Sequence, residues 1–132
     1  MRWLGALLVL AASPAFAESD FSGIWFGSQP YDHANVYLLT IRPDGTFQTQ
    51  HRRCLKGEDV DYLVTGSWMR DGEMITYHVA TVAGQNRPRV DPFRLVSLDD
   101  KQQITIFLPR NLTYTAQRVG SDFVLPSCRL VS

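Results

Sequence analysis

The sequence predicts an all-β domain of eight antiparallel strands, arranged as an up-and-down meander and closed into a barrel. Three observations predict it. From Gly23 onward, short runs of β-forming residues alternate with turn residues. No window keeps apolar residues at helical spacing for two turns without Gly or Pro. The connections are short, so consecutive strands pair as antiparallel neighbours; an open sheet of eight would expose two edges and one apolar face, and closure removes both problems.

The first strand runs from Gly23 to Ser28, and the second from Val36 to Arg42 through Val-Tyr-Leu-Leu-Thr-Ile. Pro43-Asp44-Gly45 turns the chain: Pro presets one backbone angle and Gly accepts a positive one. Thr46 to Cys54 returns as the third strand. Val60 to Met69 alternates, with Val60, Tyr62, Val64 and Trp68 on one side and Asp61, Thr65 and Ser67 on the other. Asp71-Gly72 is a strong hairpin signal, and Met74 to Val82 runs back with Ile75, Tyr77 and Val79 on one face. Ala83 to Arg89 reads as a loop because it holds Gly84, Asn86 and Pro88. Phe93 to Leu98 follows, with Pro92 marking an edge or a bulge. Gln103 to Leu108 alternates through Ile104, Ile106 and Leu108. Leu112 to Val119 closes the series with Leu112, Tyr114 and Ala116 on one face.

Ahead of the strands lies an address. Met1-Arg2 is a short positive start, Trp3 to Ala12 is apolar, and Ala15-Phe16-Ala17 supplies small residues where a signal peptidase reads. Residues 1–17 are therefore expected to be a secretory signal peptide cleaved after Ala17, with 18–132 as one barrel domain, secreted or periplasmic. No later run is apolar enough to cross a membrane as a helix, so no integral membrane segment is expected after cleavage. The full chain carries 13 basic and 13 acidic side chains, and removing Arg2 leaves the remainder almost neutral. That excludes a strongly basic nucleic-acid binder, and a monomer is expected. In an oxidising compartment the two cysteines, Cys54 and Cys128, default to a disulfide; free thiols or a redox pair are the rival reading, although no C-x-x-C spacing supports it.

Gly23-Ile24-Trp25, at the head of the first strand, resembles the G-x-W signature of the lipocalin and wider calycin barrels. Arg118, near the end of the last strand, stands where those proteins stack an Arg on the Trp. Cys54 and Cys128 resemble the bridge that ties a mid-barrel strand to the C-terminal tail. The hairpin Pro43 to Phe47 and a second G-x-W, Gly66-Ser67-Trp68, are similar to short bacterial lipocalin-like domains. The chain departs from a typical lipocalin in its shortness, in the lack of a helix after the last strand, and in having no clear second and third motif. The resemblance implies a lipocalin-like barrel in which Gly23, Trp25 and Arg118 close one end. The departures point to a narrow or filled interior.

Nothing in the sequence supports catalysis or a cofactor. There is no G-x-S-x-G elbow, phosphate-cradling loop, H-E-x-x-H or EF-hand loop, and three scattered histidines with two distant cysteines make no metal site. His51, Arg52, Arg53 and Lys56 form a basic cluster that Glu58, Asp59 and Asp61 can neutralise; Arg87, Arg89 and Arg94 form a second. His78 reads as a strand histidine, and His33 as turn chemistry beside Asp32 and Asn35. The leading expectation is a binding protein, not an enzyme, holding a small apolar or amphipathic ligand. Tyr37, Tyr62, Trp68, Tyr77 and Phe93 would line the lumen, with arginines such as Arg53 at its mouth. The alternative is an envelope-interaction or protease-inhibitor-like barrel, acting on a partner protein through the loops Gln29 to Asn35 and Ala83 to Arg89.

Overall fold

The computed structural model describes residues 21–128, so the expected signal peptide and its cleavage site lie outside the described residues. Eight strands follow one another: β1 (Gly23–Gln29), β2 (Asp32–Ile41), β3 (Thr46–Leu55), β4 (Glu58–Asp71), β5 (Met74–Val82), β6 (Gln85–Leu98), β7 (Gln102–Phe107) and β8 (Leu112–Val119). Each pairs antiparallel with its neighbour in sequence, and β1 also pairs with β8, so the barrel is closed.

The strands meet through turns that their residues dictate. At Pro43-Asp44-Gly45, the Asp44 carboxylate accepts hydrogen bonds from the Thr46 backbone N–H at 2.9 Å and from its hydroxyl at 2.7 Å. Trp68 locks this turn from β4: its backbone N–H donates to Gly45 O at 2.9 Å and its indole N–H to Arg42 O at 2.8 Å.

Two expected loops are absent. Gln29 to Asn35 shrinks to Pro30-Tyr31, with β2 starting at Asp32, and Ala83 to Arg89 shrinks to Ala83-Gly84. Ala83 and Gly84 both have positive φ, 53° and 78°, the pairing that matches a two-residue hairpin to the twist of its strands. The prolines that suggested a loop are accommodated inside β6. Arg87 and Pro88 together oppose Ala80 between the pairs Val79–Arg89 and Thr81–Asn86, which is a bulge, where proline removes no ladder bond. Pro92 turns its carbonyl to Leu108 N, just past β7, so its missing N–H also faces the end of a ladder.

One end of the barrel is filled. Phe21, Trp25, Ile41 and Ile75 are the largest fully buried side chains. Trp25 stands opposite Arg118 across the β1–β8 seam, with the guanidinium carbon 4.2 Å from the ring centroid. Its indole N–H donates to Phe21 O at 3.1 Å, and Arg118 donates to Ser22 O at 2.7 Å and to Asp100 O at 3.0 Å. Gly23 is required beside them: its φ is 138°, and a Cβ there would overlap the Arg118 guanidinium.

The segment after β8 crosses the outside of the wall. Phe123 packs on Phe26 at 4.8 Å, Leu125 is buried, and Cys128 is joined to Cys54 by a disulfide with its Cα atoms 5.6 Å apart. Arg52 fixes this strap. It donates to Leu125 O at 2.8 Å and binds both oxygens of Asp61, at 2.8 and 2.9 Å. Asp59 accepts from Cys128 N at 2.8 Å.

Candidate functional site

Alternation decides which residues meet inside. On β2 and β3, Tyr37, Leu39, Phe47, Thr49 and His51 point inward; on β5 and β6, Tyr77, Val79, Arg89, Asp91 and Phe93 do. On β7 the isoleucines turn outward and Gln103, Thr105 and Phe107 turn inward, because Gln103 and Thr105 pair with Ala116 and Tyr114, which face the interior. Together these residues enclose a cavity of about 430 Å³ above the Trp25 end, within the range of small-molecule sites, roughly 300–1,000 Å³.

The wall is mostly apolar and rich in rings. Phe47–Tyr77, Tyr77–Phe93 and Phe93–Tyr114 meet edge to face, with centroids 4.9, 5.5 and 5.8 Å apart. Burial raises the Tyr37 and Tyr77 hydroxyls far above the usual phenol range, and Tyr114 is raised too, so all three stay protonated. Tyr114 donates to Gln29 at 3.2 Å. Among the described residues, four polar ones are buried: Gln29, Thr49, Gln103 and Thr105. The Gln103 amide nitrogen has no hydrogen-bond partner among the described residues.

Among the described residues, three ionisable groups besides the tyrosines line the cavity: His51, Arg89 and Asp91. Arg89 Nε lies 3.1 Å from both Asp91 oxygens, a pair formed by alternate residues on one strand face. His51 stacks on Tyr62 at 4.9 Å and 15°, and its ring lies 6.3 Å from Tyr37. Burial first, and the Arg89 charge second, push its pKa down from 6.5 to about 4. His51 is therefore neutral near pH 7.

This shift makes stability pH-dependent with a definite sign. The unfolded chain takes up the His51 proton near pH 6.5 and the folded chain only near pH 4. The contribution is complete above pH 6.5 and is lost as the pH falls to about 4. Denaturant midpoints across that window are expected to report a loss approaching 3 kcal/mol, roughly. His51→Gln should flatten that part of the profile, which separates the histidine from carboxylates titrating nearby.

The sequence-derived site residues divide into three groups. Tyr37, Tyr77 and Phe93 line the cavity. Tyr62 and Arg53 line a smaller depression of about 200 Å³ that shares Gln29 and His51 with it. Trp68 lies off the cavity wall at the filled end, 5.3 Å from Phe21. Of the second basic set, Arg89 reaches the cavity and stands near His51 of the first, whereas Arg94 is exposed on the opposite face of β6. Arg52 is engaged by Asp61 and the strap. His78 faces outward, and His33 Nδ1 lies 3.3 Å from Ser28 Oγ.

Gln103, Thr105, Thr49, Gln29 and Asp91 went unnoticed in the sequence. Their only signal is parity: each shares a strand face with residues that are aromatic or apolar. Among the described residues, no group of three or more His, Cys, Asp or Glu could hold a metal ion, and no helix is long and apolar enough to cross a membrane. Compared with known proteins, the chain matches no family model, no curated protein and no solved structure.

Proposed function

We propose that this chain is an exported, lipocalin-like binding protein, monomeric and not an enzyme, that holds one small, mainly apolar molecule inside its barrel. The observation that carries the reading is the 430 Å³ cavity inside the barrel, above the end filled by Trp25 and Arg118. Its aromatic and aliphatic wall supplies dispersion and hydrophobic contact, and a few buried polar groups supply orientation. The Trp25–Arg118 stack beside Gly23 supports kinship with calycin barrels, and the Cys54–Cys128 bridge supports an oxidising destination outside the cytoplasm. The partner-protein reading loses ground because both loops it relied on are two-residue turns.

A neutral apolar fluorophore, N-phenyl-1-naphthylamine, tests the proposal. Titration into the folded protein is expected to give saturable enhancement with one probe per chain. Val79→Trp, which thrusts a large ring into the cavity, should abolish it, while Val96→Trp on the exposed surface should not. Enhancement that never saturates, or that survives Val79→Trp in a folded protein, would overturn the proposal.

A further inference from the structure

We infer that the ligand is uncharged, carries a flat ring system, and presents a carbonyl oxygen to the amide of Gln103. The inference rests on the binding reading above and narrows it to a chemical class.

Gln103 carries the first part. Its side chain lines the cavity, the residue is only 3% exposed, and its Nε2 has no partner among the described residues. A buried amide donor without an acceptor is a liability in a folded protein, and native structures rarely retain one without use. Gln103 stands at the cavity wall, so a small swing of its amide brings Nε2 to an acceptor that arrives with the ligand. A carbonyl oxygen fits: it accepts from N–H and brings no charge into the apolar surroundings.

Charge balance carries the second part. Arg89, the arginine that lines the cavity among the described residues, is already held through Nε by both oxygens of Asp91. His51 adds no positive charge near neutrality. An anionic head would meet the Asp91 carboxylate along with Arg89, and a cationic head would meet Arg89 along with Asp91; neither finds an uncompensated counter-ion.

The rings carry the third part. Phe47, Tyr77, Phe93 and Tyr114 stand successively at 67°, 89° and 67° to one another. Walls set at such angles offer a flat ring both a face and an edge to pack on, where a flexible alkyl chain would use only their area.

Three matched probes test the inference: 2-acetylnaphthalene, 2-ethylnaphthalene and 2-naphthoate. They share one ring system and differ in bearing a neutral acceptor, no acceptor, or a negative charge. Calorimetric titration is expected to show the ketone binding about tenfold tighter than either of the others. Gln103→Met and Gln103→Leu should each erase the preference for ketone over hydrocarbon, mainly by weakening the ketone. Equal binding of ketone and hydrocarbon, tightest binding by the naphthoate, or a ketone preference that persists in both variants would overturn the inference while leaving the binding reading standing. Failure of all three probes to bind would remove both.

Discussion

Replacing Trp25 with alanine lowers the free energy of unfolding by about 3–5 kcal/mol, the range for truncating a fully buried large aromatic. Three losses combine. The ring is 0% exposed and belongs to the core cluster that includes Phe21, Ile41 and Ile75, so its removal leaves a void that the surrounding strands cannot close. The Phe21 carbonyl loses its indole donor. The Arg118 guanidinium loses the ring face 4.2 Å beneath it, an interaction of roughly 0.5–2 kcal/mol. Urea unfolding followed by far-UV circular dichroism measures the change. Trp25→Phe keeps most of the packing but not the indole hydrogen bond, and should fall between wild type and Trp25→Ala. A loss below about 1 kcal/mol in Trp25→Ala would show that the seam is held by its backbone ladder alone.

Removing the disulfide has the second large effect. The bond spans 74 residues from the end of β3 to the end of the strap. Closing a loop of that length in the unfolded chain corresponds to roughly 4 kcal/mol, and removal of native disulfides typically costs about 2–5 kcal/mol. The double variant Cys54→Ser with Cys128→Ser, and the wild-type protein under reductant, should unfold at the same reduced denaturant concentration. The two treatments change side-chain chemistry differently but release the same constraint, so agreement between them assigns the loss to the cross-link. A loss under about 1 kcal/mol would mean that Arg52, Asp59 and buried Leu125 hold the strap without covalent help.

Much of this architecture was legible because it is written in local chemistry. Pro43-Asp44-Gly45 and Asp71-Gly72 announce turns, and Ile75, Tyr77 and Val79 announce an inner face, whatever surrounds them. The pairing of Trp25 with Arg118 became an expectation only through the resemblance of Gly23-Ile24-Trp25 to a known motif. The interior was harder to read, for a physical reason. On β7 the apolar residues Ile104 and Ile106 point out while Gln103 and Thr105 point in, and only the register against Tyr114 and Ala116 decides it. His51 and Arg89 come from strands three apart in the barrel, so no spacing in the chain places them near each other. Pro88 and Pro92 misled because proline's usual message, the end of a strand, does not hold at a bulge or where the missing N–H faces the end of a ladder.

The β1–β8 seam has a kinetic consequence. Every other ladder joins strands that follow each other in the chain, whereas this one joins the two extremes of the barrel. Hairpins with two-residue turns zip within about 1–10 μs, while contacts between distant segments must first meet the entropy of a long excursion. The sheet therefore curls before it is sewn shut, and Trp25 reaches its socket only at that last event. A side chain that joins so late does little to hasten folding; it acts as a latch, and its work is to slow the barrel's opening.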